Sequence, residues 1–227
     1  MSSLDLYAKI EPLIGFYEDY DRLYDEYIKI LKSSGAKKVL DVGCGSGRFL
    51  ERLKSEGFEG IGIDISEEMI RISINKGLNA NLMNIYDLVD KFDAVVCIAD
   101  VLNYMDKNEL QSFLLKIKEL LLKKAIFICD VNTSYGFEEV AEGSFIKDEA
   151  DRVLCVDSVY DNAIFSTKIN YFYKKNEFYV REEGLICQYY HSFKTIKEII
   201  SLRSIKYLPF LLFGDKPDKE IMVFEND

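Results

Sequence analysis

The chain has no tryptophan, one histidine and three prolines in 227 residues. A single imidazole cannot build a histidine-rich metal centre, and no His, Cys, Asp and Glu stand at metal-ligand spacing, so no metal is expected. The five cysteines (Cys44, Cys97, Cys129, Cys155, Cys187) are odd in number, far apart and without a CxxC pair. They read as small core residues of a cytoplasmic protein rather than as a disulfide framework. No apolar run approaches the length of a membrane span, and the opening MSSLDLYAKIEPL lacks the apolar stretch of a secretion signal, so no membrane partner is expected. Basic residues number 29 against 39 acidic ones. That formal charge of -10, with no dense basic run, argues against nucleic acid, whose phosphates would need neutralising. No Gly-Lys-Ser/Thr loop for a nucleoside triphosphate occurs either.

What is present suits one large core with an elaboration, since 48% of the residues are hydrophobic. From Leu4 to Leu31 apolar and aromatic residues recur at helical spacing and stop at Ser33-Ser34-Gly35, which predicts a helical leader over 1–35. Short β-branched runs then alternate with helical ones as far as Asn132 (KVLDV, GIGIDI, ANLMN, DAVVCIAD, AIFICDV), the text of a doubly wound parallel sheet. Over 133–190 the alternation stops. Runs dense in Val, Ile, Thr, Tyr and Phe, broken by Asp-Asn and Lys-Lys-Asn, predict an antiparallel meander. Core text resumes at 191–227, where a helix and two final runs predict a terminal antiparallel hairpin at the sheet edge.

The stretch KKVLDVGCGSGRF, Lys37 to Phe49, places Gly43, Gly45 and Gly47 at alternate positions after the first strand. This is the end of an open α/β sheet at which ligands bind, and bare backbone there lets a ligand reach the N-H groups. The spacing is GxGxG rather than the GxGxxG of a pyrophosphate site. Asp41, just before the turn, would repel a pyrophosphate and suits a ligand carrying an ammonium group. At the tip of the second strand Asp64 can accept both hydroxyls of a ribose.

Taken together, VLDVGCGSG and GIDIS resemble the first two motifs of class I S-adenosylmethionine-dependent methyltransferases. The resemblance covers Lys37 to Asp130 closely and implies a Rossmann-like seven-stranded mixed sheet, with S-adenosylmethionine as cofactor. It also implies that Asp41 and the turn Gly43, Cys44, Gly45, Ser46 and Gly47 face the methionine moiety. Asp64, with Ile65 beside it, would hold the ribose and Met69 would pack near the adenine. Where the family shows Gly-Asp after the third strand, this chain has Met83-Asn84 followed by Ile85, and Asn84 would accept from the adenine amino group. The fourth strand ends in CIADVLNYM, similar to the segment lining the methionine side; Asp100 and Asn103 are candidates there, Asp100 serving equally as an N-cap. The family's Pro-Gly-Gly turn before the fifth strand is missing. Several small-molecule members open with a Tyr-Asp helix folded over the cofactor, as Tyr20-Asp21 and Tyr24 would be if that turn became ordered on binding. A tyrosine face there could attract the sulfonium, although such spacing also serves core packing.

The implied reaction is N- or O-methylation of a small molecule by a monomer or homodimer, and the β-rich insertion would select the acceptor. Tyr135 and Tyr190 are plausible pocket residues. His191, where the insertion rejoins the core, reads either as a general base at the site mouth or as a surface or hinge residue. Two other functions stay open. A non-catalytic adenosylmethionine-binding protein would keep the turn and lack an acceptor pocket. An NAD(P)-dependent oxidoreductase would share Asp64 but should carry Gly or Ala where Arg48 stands.

Overall fold

The computed structural model describes residues 2–15 and 17–227, with the side chains of Tyr17 and Glu18 excepted. The leader forms two helices, α1 (Ser3–Ile14) and α2 (Tyr17–Ser34). Ser2 starts α1 through a reciprocal capping box with Asp5, and Gly15 ends it with φ at 82°, a left-handed conformation that glycine adopts without a Cβ penalty. The periodicity in the sequence runs on across this break. Then follow β1 (Lys38–Val42), α3 (Arg48–Ser55), β2 (Glu59–Asp64), α4 (Glu67–Asn75), β3 (Ala80–Leu82), β4 (Phe92–Cys97), α5 (Lys107–Leu120) and β5 (Leu121–Asn132). Four strands come next: β6 (Gly143–Glu149), β7 (Arg152–Asp161), β8 (Ile164–Lys175) and β9 (Phe178–Tyr189). The chain finishes with α6 (Phe193–Ile200), β10 (Arg203–Phe210) and β11 (Lys219–Glu225).

Seven strands make the main sheet in the order β10-β11-β5-β4-β1-β2-β3. Neighbours from β3 to β5 pair in parallel, and β11 runs antiparallel to both β5 and β10. The terminal hairpin is therefore present, with its second strand lodged inside the sheet and its first at the edge. Alternation along the strands sorts side chains to two faces. Leu40, Val95, Phe127, Cys129, Met222 and Phe224 pack with α5 and α6, while Val39, Ala94, Val96, Ile128, Ile221 and Val223 pack with α2 and α3. Such burial on both faces is why the strands read as nearly continuous apolar runs. Helix α5 contributes Leu110, Phe113, Leu114, Ile117 and Leu120, each stabilising the fold by about 1.5–3 kcal/mol through burial.

Strands β6 to β9 form a separate antiparallel meander. The β7–β8 turn at Asn162-Ala163 has positive φ at both residues, as a two-residue hairpin with primed-turn twist requires. One face of this sheet is covered by α1, whose Leu6, Ile10 and Leu13 pack on Leu154, Val156, Ile169 and Ile186. The two leader helices thus serve different cores: α1 packs on the meander and α2 on the main sheet. All five cysteines are free; Cys44, Cys97 and Cys129 are buried as expected, whereas Cys155 and Cys187, on the meander, are only half-buried.

Candidate active site

A cavity of about 690 Å³ opens at the carboxyl ends of β1, β2 and β4. Its floor is the glycine turn and the strand tips. Leu4, Tyr7, Glu11 and Ile14 of α1 roof it, and Leu185, Ile186 and Cys187 of β9 close one side. Asp5 ties the roof down by accepting a 2.7 Å hydrogen bond from the hydroxyl of Ser66, the N-cap residue of α4.

The three glycines divide their work. Gly43 and Gly45 line the cavity. A Cβ on Gly43 would strike Val101 at 2.8 Å, whereas one on Gly45 would meet only the Met69 sulfur at 3.8 Å, so Gly45 leaves open the space a ligand needs. Gly47 is a packing residue, because a Cβ there would run into Leu78 and Ser73. Cys44 turns away too, with its sulfur against Gly62, and Ser46 sits on a shallower depression beside Glu11 and Arg48. The side chains of Cys44 and Ser46 therefore lie outside the wall of the main cavity.

Asp64 lines the cavity and accepts from Gly45 N at 2.9 Å and from Ser66 N at 2.8 Å, one bond to each oxygen. Burial raises its pKa, and those backbone donors oppose the rise. The Ile65 N-H favours its charged form as well. Asp41 lies fully buried beneath the turn, and neither of its oxygens has a hydrogen-bond partner among the described residues. Burial first, and then the neighbouring Asp64 charge, push its pKa up to about 8.

Ile65, Met69, Asn84 and Ile85 line one lobe together with Met83, Tyr86 and Phe113. The Asn84 side-chain oxygen accepts from Tyr86 N at 3.2 Å and caps the short 3-10 turn Ile85–Asp87, leaving it one free lone pair. The opposite lobe holds Tyr20, Tyr24, Asp100, Tyr104 and Phe213. Tyr20 and Tyr24 lie within α2, packed edge-on against Phe213 and beside Phe49 respectively, so that turn is already helical.

Asp100 makes no cap hydrogen bond in the 3-10 turn it begins. Its carboxylate accepts from Lys219 Nζ at 2.7 Å and from Gln188 Nε2 at 2.6 Å. Lys219, 1% exposed, also donates to Asp130 at 3.1 Å and to Asn132 at 2.9 Å. Burial opposes its charge, but Asp100 and Asp130 outweigh that and hold its pKa above the ordinary lysine value. Asp130 also accepts from the backbone N-H groups of Ala99 (2.9 Å) and Asp100 (3.0 Å) and from the Tyr27 hydroxyl (2.8 Å). Ala99 and Asp100 have φ of 63° and 57°, unfavourable for residues with a Cβ, and the Asp130 clamp holds them there.

Several expected contacts move. His191 is buried but absent from the cavity wall; its Nε2 lies 2.8 Å from the Met105 carbonyl, and burial lowers its pKa. It is therefore neither a surface residue nor a base at the mouth. Asn103 is buried behind the wall, donating to Tyr189 O at 2.7 Å and accepting from Asn132 N at 2.9 Å. Tyr135 bonds Asp215 on the surface, and Tyr190 also lies away from the cavity. Unforeseen are Tyr7, Glu11, Tyr104, Ile186 and Phe213 in the wall, and Asp130, Gln188 and Lys219 behind it.

Residues 39–124 match the family described as a methyltransferase domain. A putative methyltransferase of Bacillus subtilis (strain 168) is 32% identical over 155 residues, 61% of this chain and 63% of that protein. A glycine/sarcosine N-methyltransferase of Parasynechococcus marenigrum (strain WH8102) is 27% identical over 168 residues, 64% of this chain and 58% of that protein. The chain spans about three fifths of the length of these curated relatives. In fold it resembles an S-adenosylmethionine-dependent methyltransferase from Clostridium acetobutylicum, with a TM-score of 0.78 at 20% identity over 97% of this chain and 96% of the other. The sugar N-methyltransferase of a Streptoalloteichus species gives 0.77 at 16% identity over 98% and 92%. Its domain match, its strand order and its glycine turn beside Asp64 make the chain similar to the class I S-adenosylmethionine-dependent methyltransferases.

Proposed function

We propose that this protein binds S-adenosylmethionine in the cavity and transfers its methyl group to nitrogen or oxygen of a small molecule. The observation that carries the reading is Gly45: its Cα faces open space, and its N-H is fixed by Asp64, a strand-tip carboxylate on the cavity wall. The residues fit the cofactor. Asp64, open to the cavity, can accept from ribose hydroxyls, and the apolar lobe around Met69 and Ile85 suits a purine. Bound there, S-adenosylmethionine would supply an electrophilic methyl to the acceptor's lone pair, its carbon–sulfur bond giving up its electrons to sulfur. The chain contributes alignment and exclusion of water, with α1 as roof and β9 as wall. The acceptor's proton leaves to solvent.

Calorimetric titration tests the reading. Adenosylmethionine and S-adenosylhomocysteine should bind and NAD should not, because the turn is GxGxG and carries Arg48 where a pyrophosphate site has Gly or Ala. Gly45→Val, which fills the open space, should abolish binding while the far-ultraviolet spectrum stays native. Tight NAD binding, or normal adenosylmethionine binding by a folded Gly45→Val, would overturn it.

A further inference from the structure

The charged groups on the cavity wall are unequal. Among the described residues they comprise the carboxylates of Glu11, Asp64, Asp100 and Glu109 and the single guanidinium of Arg48. Arg48 opens α3 directly after the glycine turn, on the cofactor side, and its charge is felt by Glu11 and Tyr24. One lobe is bounded by Tyr7, Tyr20 and Tyr104, from three different elements, with Asp100 beside them. Both Tyr20 and Tyr104 lie close enough to Asp100 and Tyr7 to sense them; burial, then Asp100, holds both phenols well above their ordinary range, so they stay protonated. Beneath them one ammonium, Lys219, serves two carboxylates, Asp100 and Asp130, which leaves that cluster one negative charge in excess. Asp130 is saturated by two backbone N-H groups, Tyr27 and Lys219. The excess therefore faces the cavity through Asp100.

We infer that the acceptor is a small amine, cationic at neutral pH and free of phosphate and carboxylate, held between the rings of Tyr7, Tyr20 and Tyr104 over Asp100. This rests on the proposed methyl-transfer function. Phenol faces attract an ammonium group and Asp100 supplies its counter-charge. An anionic substituent in the same lobe would lose its hydration and meet the Asp100 carboxylate, whose cation Lys219 is shared with Asp130. The absence of a free base agrees. His191 is outside the wall, the phenols are held protonated, and Asp64, Asp100, Glu11 and Glu109 already accept hydrogen bonds. An amine, once it has lost its proton to water, attacks through its own lone pair and needs no strong base, whereas an alcohol gains from one. The carboxylated or diphosphate-linked acceptors named for several relatives, such as glycine and a dTDP-amino sugar, would on this reading be excluded here.

Matched probes test it: phenethylamine against phenylalanine, putrescine against ornithine, and phenethyl alcohol as the uncharged control. Each is titrated calorimetrically into protein saturated with S-adenosylhomocysteine, then assayed for methyl transfer from labelled adenosylmethionine. The plain amines should bind at least tenfold more tightly than their carboxylated partners and than the alcohol, and Asp100→Asn should erase most of that preference. Equal or tighter binding of phenylalanine and ornithine, failure of both plain amines, or an unchanged preference in Asp100→Asn would overturn the inference. Saturation with S-adenosylhomocysteine is verified first in the same cell. Failure at that step sinks the cofactor reading, and failure only in the amine step sinks this one.

Discussion

Two carboxylates stand beside the same glycine turn and carry opposite expectations. Asp64 is hydrogen-bonded and open to the cavity, so Asp64→Ala should weaken adenosylmethionine by about 2–3 kcal/mol, the scale of charge-assisted hydrogen bonds. Calorimetry reads this directly, and an unchanged affinity would place the ribose elsewhere. Asp41 is sealed and unpaired, with its pKa raised to about 8. Between the carboxylate's ordinary value of 3.8 and that raised value the folded ligand-free protein holds a proton that the unfolded chain releases. Its contribution to stability is thus full at low pH and is lost as pH rises toward 8. Asp41→Asn removes the dependence. Its thermal stability relative to the parent should rise from pH 5 to pH 8 by an amount on the order of a few kcal/mol. Parallel pH profiles for the two proteins would show that Asp41 ionises freely.

At the scale of elements, the parts legible in the sequence are those whose signal is local. The glycine turn, Asp64 and the alternating strands each follow from residues a few positions apart. So does the meander, whose β-branched runs and Asn turns mark it before any tertiary contact is known. What escaped depends on distant partners. Lys219, in the turn text GDKPDKE, reads as a solvated charge, and only insertion of β11 beside β5 buries it against Asp100 and Asp130. Helical periodicity carried the leader through Gly15, yet the two helices pack on different sheets. His191 and Tyr190 follow the meander in sequence, but the wall is built earlier on β9, from Leu185 to Cys187. Because Lys219 separates two buried carboxylates, Lys219→Met should cost about 3–5 kcal/mol of stability, the scale for stranding a buried charge. Chemical denaturation measures it, and a loss below about 1 kcal/mol would mean that the carboxylates are hydrated.

For the molecule as a whole, the roof and the wall form one body. Helix α1 buries its apolar stripe in the meander and is tied to α4 through Asp5, which accepts from the Ser66 hydroxyl. Opening should therefore move α1 and the meander together against the main sheet. Hydrogen exchange with and without S-adenosylhomocysteine should show protection rising together in Ser3–Ile14 and β9, and less in α2, which already packs on the core. Protection confined to the glycine turn would leave the roof as fixed scaffold. Asp5→Ala removes that tie, and it should speed α1 exchange in the free protein more than in the complex.

The position of β11 sets an order of events during synthesis. It is the last strand of the sheet to leave the ribosome, yet it lies between β5 and β10, both made before it. A nascent chain holding β10 but not β11 has a vacant slot beside β5 that β10 can fill wrongly as a parallel neighbour. Until Lys219 arrives with β11, Asp100 and Asp130 face each other without a counter-ion. The ligand cavity is thus completed by one late, long-range insertion, a topology that slows folding. A ribosome stalled before Lys219 should display a chain unable to retain S-adenosylhomocysteine, and release of the remaining residues should restore the capacity in a single step.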